Sequence, residues 1–229
     1  YIIENTDWNI TGLIRWRSPL DNISHLLSLI NSQERINLVY GDLRDTISID
    51  KAVEEAQPDY VFHLAAQSFP KTSFDAPLDT MDTNIQGTNR VLEAIRKYSP
   101  KAVIHICSSS EIFGRVPKEK LPIDEECNFH PASPYAISKV GTDLVGRFYA
   151  EAYDMTVMTT RMFTHTGPRR GDVFAESSFA KQIALAEARY ANPVIRVGNL
   201  KSLRTIADVR DAVRAYYMLL TINPKGGEY

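Results

Sequence analysis

Short apolar runs alternate with longer amphipathic ones along this 229-residue chain. NITGLIR, INLVYGD, DYVFHLA, AVIHICSSS and MTVMTTRMF have the length and apolar content of strands. Helical stretches are expected over Thr46–Gln57, Leu78–Tyr98, Pro134–Tyr153, Phe174–Arg189 and Val209–Thr221. Strands alternating with helices predict an α/β fold: a doubly wound parallel sheet wrapped by helices. The pattern contains no repeat and no low-complexity linker.

Two features depart from that rhythm. The loop GRVPKEKLPIDEECNFHPAS is long and rich in proline and charge, and reads either as a lid over a site or as a solvated surface excursion. The ends look cut. Tyr1 opens on what resembles the tail of a helix leading into NITGLIR, with no strand and no glycine-rich turn before it, and PKGGEY stops on a turn entering a further strand. The chain therefore reads as a fragment, truncated at both ends.

Composition narrows the function classes. At 44% hydrophobic the chain can bury a sizeable core. Its 26 Lys and Arg against 28 Asp and Glu leave no basic surplus of the kind that binds nucleic acid or anionic membrane. No apolar run approaches a bilayer span, and YIIENTDWN lacks the marks of a signal peptide, so a cytoplasmic protein is expected. Cys107 and Cys127 read as plain thiols, and the histidines at 25, 63, 105, 130 and 165 show no short ligand spacing, so no metal site is expected.

The chemistry concentrates in two stretches. In SPYAISKV, Ser133 is a good N-cap and Pro134 suits the first helical position, which puts Tyr135 in the first turn and Lys139 one turn later on the same face. The ammonium and the helix N-terminus would both favour loss of the phenolic proton, although a Tyr-x-x-x-Lys spacing alone also arises in ordinary packed helices. In AVIHICSSSEIFG a buried strand runs into three hydroxyls and a carboxylate, at the strand end where open α/β sheets bind ligands. On an extended segment Ser109 and Glu111 would share one face and Ser110 the other.

HLAAQS, the N-x-x-G-T of NIQGT, SSSE, SPYAISK and THTGPRRG follow one another across nearly the whole chain. Together they resemble the extended short-chain dehydrogenases/reductases of the nucleotide-sugar epimerase/dehydratase family, most closely the GDP-mannose 4,6-dehydratases and the neighbouring GDP-4-keto-6-deoxymannose reductases. The resemblance implies a Rossmann-like NAD(P)-binding domain over 1–163, without its first strand and glycine-rich turn, and part of a substrate-binding lobe over 164–229 interleaved with the sheet. It implies a nucleotide-sugar substrate, a homodimer or homotetramer, and no nucleic acid or membrane partner.

Roles follow from the same resemblance. Tyr135 would be the acid/base at the sugar C4 hydroxyl, Lys139 would hold the nicotinamide ribose, Ser109 would share the C4 oxygen and Glu111 would take the C5 proton. His63, Ala65 and Ala66 would line the cofactor's path, with Asp42 and Leu43 at the adenine. Gln67, Ser68, Ser110, Thr164 and Arg204 would meet substrate, although the family usually carries asparagine where Thr164 stands. Arg15, Trp16, Arg17 and Ser18 follow the strand where an acidic residue would hold an unmodified ribose, so NADP is favoured, with NAD remaining open. Arg169, Arg170 and Arg204 are able to bind a diphosphate, or serve as surface ion-pair partners. The alternatives to a dehydratase are a reductase or another epimerase and, in a different class, a non-catalytic NADP-binding scaffold.

Overall fold

A computed structural model describes residues 1–222 and 224–229. The elements run in the order α1 (Ile2–Asn5), β1 (Ile10–Ile14), α2 (Leu27–Ser32), β2 (Ile36–Tyr40), α3 (Thr46–Ala56), β3 (Tyr60–His63), α4 (Pro70–Asp75), α5 (Pro77–Met81), α6 (Gly87–Tyr98), β4 (Val103–Cys107), α7 (Pro134–Tyr153), β5 (Thr156–Thr160), β6 (Thr164–Thr166), α8 (Ala175–Glu187), β7 (Ile206–Asp208), α9 (Val209–Thr221) and β8 (Gly227–Glu228). They form two compact units, one of Tyr1–Met162 with Arg214–Tyr229, the other of Phe163–Val213.

In the first unit β1 pairs parallel with β2, and β3, β4, β5 and β8 form a four-stranded parallel sheet in that order. β4 shows why the sequence folds this way. Ile104 and Ile106 point into a cluster with Leu43, Ile49, Leu92, Ile95 and Tyr149, contributed mainly by the helices. His105, between them, faces the opposite way and its ring lies 4.2 Å from that of Tyr216 on α9. A strand covered on both faces must be apolar or well bonded throughout, which is the near-continuous run read from the sequence. Gly146 on α7 permits a close approach to this strand, since a Cβ there would sit 2.8 Å from the Ile106 side chain.

The expected helix over Leu78–Tyr98 is interrupted. α5 and α6 are joined by a π-turn, Asp82–Gln86, and Asn84 at its centre is buried. The Asn84 carbonyl accepts hydrogen bonds from the hydroxyls of Thr88 and Thr142, at 2.7 and 3.1 Å. Thr142, on α7, is an outside partner for this helical carbonyl, which favours a widened turn, and such turns often mark functional sites. α1 stands where the sequence suggested the tail of a helix before NITGLIR, and Arg35 holds this end of the chain by donating to the carbonyls of Ile3 in α1 and of Thr6 and Trp8 after it.

The long loop between β4 and α7 is fixed at both ends and in its middle. Gly114 has φ +57, and a Cβ there would collide with the His130 carbonyl. His130 donates its backbone N–H to Ile112. In the middle, the buried Arg161 guanidinium makes two 2.9 Å bonds to the Asp143 carboxylate, donates to the Glu125 carbonyl at 2.8 Å and lies 4.9 Å from the Phe129 ring centroid. The second unit contains the parallel pair β6–β7 and α8.

Replacing Asp143 with Asn strands the Arg161 charge in the interior, and the expected loss is about 3–5 kcal/mol of stability. Urea unfolding measures it. The double replacement Asp143→Leu with Arg161→Met should lose clearly less, because neither variant side chain carries a charge that must be desolvated.

Candidate active site

Ser133 caps α7 by accepting from the Ala136 N–H at 3.0 Å, and Pro134 occupies the first turn. Tyr135 is thereby placed at the helix entrance, where its own backbone N–H donates to the buried Ser73 hydroxyl at 3.0 Å. The Ser109 side chain lies near enough to the Tyr135 phenol to pull its pKa down, so the two groups expected to share a substrate oxygen are neighbours. Glu111 is exposed and near enough for its charge to act on the phenol.

The route to this arrangement differs from the expected extended segment. Residues Ser110–Phe113 form a 3-10 turn, and the Ser109 hydroxyl caps it by accepting from the Glu111 N–H at 3.2 Å. Ser109 and Glu111 are therefore not alternate residues of a strand. Ser110 is the turn's first residue, and its backbone N–H donates to the Met162 carbonyl.

The electrostatics also depart from expectation. Burial pushes the Tyr135 phenol up from 10.0 to about 12; the Ser109 side chain pulls it down, while Cys107 and Glu111 push it further up. The helix entrance and Lys139 do not overcome desolvation here. The Lys139 ammonium, 6.0 Å from the Tyr135 ring centroid, donates instead to the Cys107 carbonyl at 2.6 Å. Its own pKa is lowered by burial. Beside it, burial first and the Lys139 charge second depress His63 to about 3, so its ring is neutral, with Nε2 3.0 Å from the Thr88 hydroxyl.

A small pocket joins His63, Ala65 and Ala66 to Lys139, together with Asn84, Thr88, Cys107 and Thr142, which the sequence reading did not assign. Asn84 ties the parts together: it accepts from the Gln67 N–H at 2.8 Å, donates to the Gln67 carbonyl at 3.0 Å and donates to the Ser138 hydroxyl at 2.8 Å. Asn84 and Thr88 are the first and last residues of NIQGT, so their signal was present without a role attached.

Gln67 is a scaffold for its turn. Its side chain donates to the Phe69 carbonyl and the Thr80 hydroxyl and accepts from the Phe69 N–H, so its amide serves the protein where a sugar contact was expected. Ser68 beside it is exposed.

A second cavity, of about 510 Å³, is lined by Arg15, Trp16, Arg17, Ser18, Tyr40, Asp42 and Arg44, among others. The Asp42 carboxylate is held by the Arg44 side chain and backbone, which lower its pKa. Leu43 is not part of this cavity. Its apolar side chain turns into the core and its carbonyl accepts from Arg90, so only its backbone N–H is left to serve the expected adenine contact.

In the second unit Thr164 begins β6 and pairs with Ile206. Arg169 has φ 72; Arg170 donates to the His165 carbonyl and lies 4.1 Å from the Phe174 ring centroid. Arg204 is exposed.

Two titrations check these environments. The Tyr135 phenol, read as the 295 nm difference between the parent and Tyr135→Phe, should ionise near pH 12, and higher still in Ser109→Ala. The stabilisation from keeping that phenol neutral is present below pH 10 and is lost as pH rises through about 12. His63 behaves oppositely: its contribution is present above 6.5 and disappears as pH falls toward about 3, so stability should fall less steeply over that window in His63→Asn.

A family model described as GDP-mannose 4,6 dehydratase matches residues 2–227. The GDP-mannose 4,6-dehydratase of Yersinia enterocolitica is 34% identical over 213 residues, covering 90% of this chain and 56% of that protein. The GDP-6-deoxy-D-mannose reductase of Pseudomonas aeruginosa is 33% identical over 172 residues, 75% of this chain and 57% of the relative. The structure of RMD from P. aeruginosa complexed with NADPH superposes with a TM-score of 0.81 at 28% identity, covering 95% of this chain and 75% of that one. This chain spans little more than half the length of those curated relatives. The match along nearly all of its residues shows that the chain belongs to the GDP-mannose 4,6-dehydratase family.

Proposed function

We propose that the protein containing this chain is an NADP-dependent dehydratase that converts GDP-mannose to GDP-4-keto-6-deoxymannose. The observation that carries this reading is the grouping of Tyr135 with Ser109 and Glu111, the Lys139 ammonium lying 6.0 Å from the Tyr135 ring centroid and bonded to the Cys107 carbonyl. Tyr135 and Ser109 bind the C4 hydroxyl, and Tyr135 receives its proton as C4 becomes a ketone. A phenol held near 12 is a poor base at neutral pH, so bound positive charge must bring it down. Glu111 removes the C5 proton, now acidified by the adjacent ketone, and returns it to the departing C6 hydroxyl so that water leaves.

The residues fit a nicotinamide dinucleotide: His63, Ala65, Ala66 and Lys139 share one pocket, while guanidinium groups line the larger cavity. When bound, that cofactor would supply reversible hydride storage, taken from C4 and restored at C6. A proton equivalent to the one Tyr135 received from the C4 hydroxyl would return to C5 to balance the step. Lys139 holds the ribose, and Arg15, Arg17 and Ser18 favour a 2′-phosphate.

Incubating the protein, with any sequence flanking this chain, with GDP-mannose and substoichiometric NADP should yield the 4-keto-6-deoxy product without net reduction of cofactor. Glu111→Gln should lower kcat by about a hundredfold or more, as expected for loss of a positioned acid/base. Normal turnover in that variant refutes the elimination role. The likeness to the P. aeruginosa reductase supports a second reading, in which a 4-keto sugar is reduced. Stoichiometric NADPH oxidation with such a substrate, and no turnover of GDP-mannose, would establish it.

A further inference from the structure

The turn after β1 carries features that folding alone does not require. Arg15 accepts at its carbonyl from the Ser18 N–H at 3.0 Å, closing a four-residue turn in which Arg17 has φ 63. A side-chain-bearing residue in the left-handed region is strained, and such strain clusters where ligands bind. Trp16 is 74% exposed and meets Tyr40, itself 59% exposed, edge to face with centroids 5.4 Å apart. An edge-to-face pair with this exposure leaves aromatic surface uncovered, and both residues line the same cavity.

Charge in the cavity is unevenly available. Arg44 is tied to Asp42 and Asp79, at 3.2 and 2.9 Å. Arg15 and Arg17 thus carry the positive charge that an incoming anion would meet. Aromatic surface beside guanidinium groups, in a cavity of about 510 Å³, suits a planar base carrying phosphate.

We propose that Trp16, backed by Tyr40, is the base-reading residue of this chain: it stacks on the adenine of the dinucleotide, and the strained Arg17 turn holds it there. The inference rests on the cofactor reading above and adds to it which side chain grips the base. The phosphates are left to Arg15 and Arg17. Trp16 is one of two tryptophans, and Trp8 is stacked at 4.4 Å on Tyr60, so Trp8 serves as an internal reference.

The test is a tryptophan-emission titration with 2′,5′-ADP and, separately, inorganic pyrophosphate, paired with calorimetry. Neither probe carries a nicotinamide or a sugar substrate, so turnover does not enter. Expected are a change in emission with 2′,5′-ADP, none with pyrophosphate, and loss of the change in Trp16→Leu while Trp8 still emits. Trp16→Leu should bind 2′,5′-ADP about tenfold more weakly and Trp16→Phe within about threefold of the parent, because stacking survives in the latter. If Trp16→Leu binds as tightly as the parent, or keeps the emission change, the inference is overturned and the cofactor reading stands. Failure of the parent to bind 2′,5′-ADP overturns both.

Discussion

A lysine ammonium is buried at the end of β4, 5% exposed, and its 2.6 Å bond to the Cys107 carbonyl constrains the surrounding site. An interior charge must be compensated by bonding. The bond ties α7 to the strand that leads into Ser109. The same charge opposes protonation of His63 and His105, adding to the burial that already depresses both, so two histidines on neighbouring strands stay neutral beside it. The phenol one turn earlier on α7 is governed mainly by burial, and the free site holds it protonated.

Around that anchor, α7 is positioned by contacts that come from distant parts of the chain. Ser73 meets its entrance, Asn84 of the π-turn meets Ser138, and Thr142 meets the Asn84 carbonyl. Asp143, one turn beyond Lys139, is spent on Arg161, whose guanidinium also holds Glu125 and Phe129. The loop from Gly114 to Ser133 is therefore bound to the helix that carries Tyr135 and Lys139. Between lid and solvated excursion, the structure shows a loop pinned through its middle by a buried ion pair.

The two pockets differ in size and lining. The inner one is small and lined by His63, two alanines and the buried lysine; the outer one is larger, aromatic and cationic. Asp42 would be an obvious ribose or adenine partner by position, yet its carboxylate is engaged by Arg44. What the outer cavity leaves open is therefore guanidinium groups and aromatic faces.

The sequence by itself determined β1 to β5 and the helices α3, α8 and α9, the whole extent of α7 and the membership of Ser109, Tyr135 and Lys139 in one family pattern. These are local or periodic signals: a Ser-Pro start, strand-length apolar runs, and hydroxyls following a buried strand. Tertiary structure decided what depends on partners far away in the chain. It broke the helix at Asn84, because Thr142 supplies an outside donor to a helical carbonyl. It curled Ser109–Phe113 into a capped turn, sent Leu43 into the core and spent Gln67 on its own turn. It also set the Tyr135 pKa above the value that a neighbouring lysine suggested, since desolvation depends on everything packed around a group and spacing reports only what lies along the chain.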